Sequence, residues 1–324
     1  MRKFNAVIKN YKTYNTNIKL ATSLILSYKK KSFRDGTVGV STDEFGKFWF
    51  STPRGKVLFK TGEKRNSEIR LLNEVICYRL AKNMGIDCAI YQPAQMDNKE
   101  KTLGVASFNF LHKGEKIISL SELLGMKALN VHPTMETLLP ALKQYDGELE
   151  FDFAQISESL YKMSIFDLLT FQSDRHLGNI SFIINNNNKA QLSPLYDNEY
   201  TFFEICRFSF DPNYNSVYEF VDNFFYGDRA MHIYETKQYS GIKGFNKFAS
   251  QIVSVAKSNS DYKKILIKTL SKADIKKVYT ELESEGFLIN EDYREFTTQL
   301  FDFAKTSLVK KVKQAFVLDT EQER

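Results

Sequence analysis

The spacing of apolar and polar positions changes along the chain. Residues 37–40, 47–51 and 56–60 are short runs rich in Val, Phe and Trp, separated by Asp43-Glu-Phe-Gly46 and Pro53-Arg-Gly55. That punctuation predicts a small antiparallel sheet. From Ser67 the period lengthens: Ile69, Leu72, Ile76 and Leu80 form a helical stripe, Ser67 stands as cap, Glu68 suits the positive helix end, and Gly85 offers a left-handed stop. Residues 88–92 and 103–110 again read as strands. From about residue 114 the pattern turns helical, with a long apolar helix over 153–171. Amphipathic helices are predicted over 261–283 and 291–316, the latter with Tyr293, Phe296, Leu300, Phe303, Ala304 and Leu308 along one side. Between the 153–171 and 261–283 helices, Ile180–Ile184 and Ala190–Ser193 flank Asn185–Asn188, which predicts a β-hairpin with a tight turn. The expected fold class is α+β, with two lobes: a small β-rich N-lobe over 1–110 and a larger helical C-lobe over 111–324.

Composition narrows the setting. The 324 residues are 43% hydrophobic and 14% aromatic, too apolar for a disordered chain and long enough for a large core. No apolar run approaches a membrane span, and no Sec-type leader is read at the N-terminus. Cys77, Cys88 and Cys206 are scattered, and the four histidines lie far apart, so neither a disulfide framework nor a structural zinc site is expected. This usage fits a reducing compartment, the cytoplasm of the producing cell. Lys+Arg 45 against Asp+Glu 39 give a net charge of +6. Lys29, Lys30, Lys31 and Arg34 are a basic cluster that reads first as a solvated face. No nucleic-acid-binding motif accompanies it.

The chemistry concentrates in Asp174-Arg-His-Leu-Gly-Asn179 and Pro194-Leu-Tyr-Asp197, at the two ends of the hairpin. A hairpin brings its ends together, so Asp174, Asn179 and Asp197 can share a site. Phosphoryl transfer uses these residue types: one carboxylate orients the acceptor hydroxyl, while an amide oxygen and a second carboxylate hold magnesium.

Asp-Arg-His-x-x-Asn followed by Pro-Leu-Tyr-Asp resembles the HipA-like protein kinases, with a further likeness to their cell-translocating members. The resemblance implies a kinase fold and an ATP- and Mg2+-dependent serine/threonine protein kinase. Asp174 would be the catalytic aspartate, with Asn179 and Asp197 as metal ligands and His176 as a support for the loop. Lys60, at the end of Lys56-Val-Leu-Phe-Lys60, would grip the α- and β-phosphates, and Glu74 would pair with it. Phe108, Asn109 and Phe110 would form the adenine hinge. Gly36-Thr-Val-Gly39, with Thr37 inside it, would approach the phosphates through backbone N–H groups. Phosphorylation of Thr37, Ser41 or Thr42 there would be inhibitory autophosphorylation.

Two rival readings stand beside this one. Asp-Arg-His-x-x-Asn also occurs in phosphoinositide kinases, which makes a lipid or small-molecule kinase the alternative. Asn198–Ser209 contains Glu199 and Glu204 but only Arg207 as a cation, which suits an inositol phosphate poorly. A nucleotide-binding pseudokinase is the second alternative, opposed by the presence of Lys60, Asp174, Asn179 and Asp197. The protein substrate is not named by any motif. Translocation into a host, with a host receptor reading the basic cluster, is what likeness to the cell-translocating members implies.

Overall fold

A computed structural model describes residues 24–27, 45–52, 55–62, 67–97, 103–125, 140, 142–143, 147–172, 174–202, 221–222, 241–285, 287, 289 and 291–322. The first sheet has five strands: β1 (Leu24–Ser27), β2 (Phe45–Thr52), β3 (Gly55–Gly62), β4 (Tyr91–Asp97) and β5 (Leu103–Phe108). Their order is β1-β4-β5-β3-β2, antiparallel except for β1 on β4. Lys60 lies in the middle of this sheet, opposite Lys47 on β2 and Val105 on β5. β5 passes so close that a Cβ on Gly104 would meet the Lys60 carbonyl at 2.2 Å.

Helix α1 (Ser67–Met84) follows β3. Its predicted apolar stripe is buried as expected. Gly85 ends it at φ +73°, with Ile86 N–H donating to the Ala81 carbonyl at 2.9 Å. This is the left-handed stop that glycine permits.

The second sheet contains β6 (Lys116–Ser119), β7 (Glu150–Phe151), β8 (Ser181–Ile184) and β9 (Lys189–Leu192), in the order β6-β8-β9-β7. The β8–β9 hairpin is the predicted one. Asn185 Oδ1 accepts from the Asn187 and Lys189 amides at 2.9 and 3.0 Å, and Asn188 takes φ +57°. β6 corrects the expectation of helix from residue 114. Ile117 and Ile118 pair with Ile183 and Phe182, so burial against β8 decides the local conformation. A one-turn helix, α2 (Leu120–Leu123), follows it.

The remaining helices are α3 (Phe153–Thr170), α4 (Gly241–Ser258), α5 (Ser260–Lys272), α6 (Ile275–Ser284) and α7 (Glu291–Gln322). The expected single helix over 261–283 is two. Asp274 caps α6 by accepting from Lys277 N–H at 3.0 Å, and the chain turns at Ala273. The strand expected at 88–92 begins only at Tyr91. Before it, Ala89 and Asp87 bond the backbone of Leu195 instead. The strand expected at 37–40 lies outside the described residues.

Packing divides the molecule unevenly. Val57, Phe59, Ala94 and Ala106 form a small core inside the first sheet. The stripe of α1 belongs to the large core, with residues of α3, α4, α5, α6 and α7. The helix of the small lobe is thus packed as part of the large one.

Candidate active site

Four charged side chains from three elements meet between the sheet and α1. Lys60 is 2% exposed. Its Nζ lies 2.5 Å from Glu74 Oε1, 2.6 Å from Asp197 Oδ1 and 3.5 Å from Glu199 Oε2. Glu74 comes from α1, and Asp197 and Glu199 from the loop after β9. The three carboxylates present oxygens within 4.8 Å of one another around one ammonium. Burial alone would lower the Lys60 ammonium, but Asp197 and Glu74 hold it well above the usual lysine range. Partial burial works against ionised Asp197, yet Lys60 pulls its carboxyl below the usual range. Burial raises Glu74 and pushes Glu199 up to about 7, with Asp197 and Glu74 adding repulsion to the latter.

The loop carrying Asp197 is held on every side. Asn198 N–H donates to Glu74 Oε2 at 2.9 Å. Tyr91 lies under Lys60, 5.4 Å from ring centroid to Nζ, and its hydroxyl accepts from Asp197 N–H at 3.4 Å. Asp197 itself sits at φ +57°, the left-handed region that aspartate tolerates better than bulkier residues. A strained backbone so fully over-determined is typical of functional loops.

The second constellation begins where α3 ends. Phe171 caps the helix at φ 51°, and Gln172 N–H donates back to the Asp167 carbonyl at 3.0 Å. The reversal sends residues 174–179 toward the Asp197 loop. Arg175 is buried (1% exposed) and forks onto Asp167, with Nε–Oδ2 at 3.1 Å and Nη2–Oδ1 at 3.1 Å. Its remaining donors reach the Tyr196 carbonyl at 3.0 Å and Asn198 Oδ1 at 2.6 Å. Arg175 therefore ties the two loops together.

His176 Nδ1 accepts from Gly178 N–H at 3.0 Å, which in the neutral ring puts the proton on Nε2, 3.9 Å from Asp174 Oδ2. Asn179 Nδ2 donates to the Asp174 carbonyl at 2.7 Å. That bond assigns its nitrogen and leaves the amide oxygen as the end suited to a cation. Asp197 and Asn179 each offer a hard oxygen of the kind magnesium takes. Of the three clustered carboxylates, Asp197 is the open one, at 27% side-chain exposure against 0% and 5% for Glu74 and Glu199. An ion can reach it without unpacking the Lys60–Glu74 pair.

Phe108 ends β5, and Asn109 N–H extends the ladder by donating to the Lys56 carbonyl at 2.9 Å. Asn109 Oδ1 accepts from Leu111 N–H at 3.2 Å, and Phe110 stacks on Tyr196 with centroids 6.4 Å apart. The segment thus runs from the first sheet to the ring beside Asp197. Gly36, Thr37 and Gly39, with Ser41 and Thr42, lie outside the described residues. Glu199 and Tyr91 are members of the site that sequence reasoning missed. The unusual acidic Asp197-Asn-Glu199 run was the one signal for Glu199.

A buried lysine–glutamate pair between sheet and helix, facing an Asp-containing loop, defines a two-lobed kinase-like protein. Residues 50–277 match the HipA-like C-terminal domain family, and the chain belongs to that family. No curated protein matches it by sequence. Among solved structures it is similar to the Helicobacter pylori proinflammatory kinase CtkA, at 14% identity over 90% of this chain and 98% of that one, with a TM-score of 0.65. It is also similar to a chain from the Shewanella oneidensis MR-1 toxin–antitoxin complex of HipA, HipB and operator DNA. There the identity is 13% over 96% of this chain and 70% of that one, with a TM-score of 0.50. At such identities the likeness is one of fold. Among the described residues, no helix is long and apolar enough to cross a membrane.

Proposed function

We propose that this chain is an ATP-dependent protein serine/threonine kinase. The observation that carries the reading is the Lys60 ammonium held at 2.5 Å by Glu74 and at 2.6 Å by Asp197, residues 14 and 137 positions away. A buried lysine surrounded by three carboxylates serves packing poorly, because each buried charge costs several kcal/mol to desolvate. It serves a polyphosphate well, since the same ammonium can turn other N–H groups to the α- and β-phosphates while one stays bonded to Glu74.

In this reading Asp197 and Asn179 hold magnesium, which when bound neutralises phosphate charge. Asp174 accepts a hydrogen bond from the acceptor hydroxyl and aims it along the line of attack. The new P–O bond forms as the bond from the γ-phosphorus to the β–γ bridging oxygen breaks. ADP leaves, and the hydroxyl proton passes to Asp174 and then to solvent. His176 fixes the loop from which Asp174 projects. The backbone of Phe108, Asn109 and Phe110 receives adenine; a phosphate-facing role for Gly36 to Gly39 rests on the sequence alone. Phosphorylation of Thr37, Ser41 or Thr42 would add charge where the phosphates sit and shut the enzyme down. Action on host proteins after translocation, through a receptor for the basic cluster, belongs to the same reading and rests on likeness alone.

The test is incubation with γ-labelled ATP and Mg2+ beside Asp197→Asn, in separate tubes containing a basic protein or phosphatidylinositol. Label on protein that disappears in the variant is expected. Label on lipid alone would replace this reading by a lipid kinase. Nucleotide binding without any transfer would replace it by a pseudokinase.

A further inference from the structure

Helix α1 carries a second stripe beside its apolar one. Arg70, Asn73, Glu74 and Cys77 stand at i, i+3, i+4 and i+7, all buried, and all face the four residues after Asp197. Arg70 Nη1 donates to the Tyr200 hydroxyl at 3.1 Å, with its guanidinium 4.5 Å from that ring's centroid. Glu74 accepts from Asn198 N–H. Cys77 Sγ lies 3.3 Å from Thr201 Oγ1.

Asn73, 0% exposed, is the centre of this stripe. Its Nδ2 donates to the Glu199 carbonyl at 3.2 Å and the Thr201 carbonyl at 2.9 Å. Its Oδ1 accepts from the hydroxyl of Tyr293, in the first turn of α7. The amide orientation is fixed by chemistry, because a flipped amide would set its oxygen against two carbonyls. Tyr293 is anchored in turn: Phe296, Leu300, Ala304 and Leu308 bury α7 in the large core.

We infer that Asn73 and Tyr293 are positioning residues for Asp197, so that the C-terminal helix α7 sets the geometry of the metal loop through one amide. This deepens the kinase reading above and rests on it. Asn73 bonds both carbonyls that flank Tyr200 and so fixes the path of the chain just after Asp197. Without the Tyr293 hydroxyl the amide keeps both donated bonds, but its buried oxygen loses the donor that ties it to α7. Groups hydrogen-bonded directly to a metal ligand commonly change metal affinity by roughly tenfold or more; Asn73 acts one step further out, through the backbone of Glu199 and Thr201, and a several-fold change is expected.

The experiment compares the full chain with Tyr293→Phe, which removes only a hydroxyl, and with Asn73→Leu. Two quantities are measured. One is amide hydrogen exchange at Asn198 and Thr201 without ligand. The other is the Mg2+ concentration giving half-maximal binding of a non-hydrolysable ATP analogue. Tyr293→Phe should speed exchange at both amides about tenfold while α3 amides are unmoved. The Mg2+ midpoint should rise several-fold, with magnesium-free binding of the analogue unchanged. Asn73→Leu should exceed both effects if it folds. Exchange and midpoint both within twofold of wild type in Tyr293→Phe would overturn the inference. Faster exchange with an unmoved midpoint would also overturn it, since the bond would then be structural only. A wild-type chain that binds no analogue at any Mg2+ concentration would instead overturn the kinase reading, and this inference with it.

Discussion

Two buried ion clusters lie on either side of Asn198, and they are built differently. Arg175 and Asp167 are one cation and one anion in a forked pair, and the guanidinium's other donors end on Tyr196 and Asn198. Lys60 has three carboxylates for one charge, and one of them, Asp197, remains partly exposed. A balanced, saturated pair holds loops in place. An unbalanced one, acidic by two formal charges if fully ionised, is a place where a cation and a phosphate can be exchanged in. On the proposed reading, the difference separates residues that shape the site from residues that would work in it.

Arg175→Met should be the most damaging change to the fold. It leaves Asp167 buried without its partner and unties both loops, for a loss of about 3–5 kcal/mol, read as a lowered urea midpoint. Glu74→Gln should behave in the opposite way. It keeps the shape and most of the stability, but frees Lys60 to follow Asp197, and kcat/KM should fall roughly 10- to 100-fold. Equal stability losses in these two variants would erase the distinction between the clusters.

A third effect concerns pH. Burial, together with Asp197 and Glu74, raises the Glu199 carboxyl from an ordinary 4.5 to about 7. The folded protein therefore binds this proton more tightly than the unfolded chain. The stability it contributes is complete below pH 4.5 and is lost as pH rises through 7. Glu199→Gln does not titrate. Thermal melts should show the variant and wild type converging below pH 4.5, and the variant more stable by roughly 3 kcal/mol at pH 8. No pH-dependent gap would mean that Glu199 ionises as an exposed glutamate does.

Much of this was legible in the chain. Asp174, Asn179 and Asp197 announce themselves because they flank a hairpin whose Asn-rich turn is itself a strong local signal. The Lys60–Glu74 pair was expected only through the family resemblance, because a strand-end lysine before an amphipathic helix reads by itself as an exposed side chain. The polar stripe at Arg70, Asn73, Glu74 and Cys77 has the same period as the apolar stripe beside it, yet its meaning lies in residues more than 120 positions away. No local pattern encodes such a partner. β6 was missed for a related reason: four residues carry little periodicity, and Ile117 and Ile118 become a strand only because β8 lies alongside. The break between α5 and α6 rests on a single cap, Asp274, in a segment whose apolar period runs on through it.

The most direct test is calorimetric titration of ATP with Mg2+ into wild type, Lys60→Met and Asp174→Asn, with phosphoryl transfer measured on the same samples. Lys60→Met should bind the nucleotide at least tenfold more weakly, having lost its phosphate grip. Asp174→Asn should bind it as wild type does, while transfer falls by ~10³-fold. If Lys60→Met binds ATP normally, or if Asp174→Asn transfers phosphate at the wild-type rate, Lys60 and Asp174 do not divide nucleotide binding and phosphoryl transfer in this way.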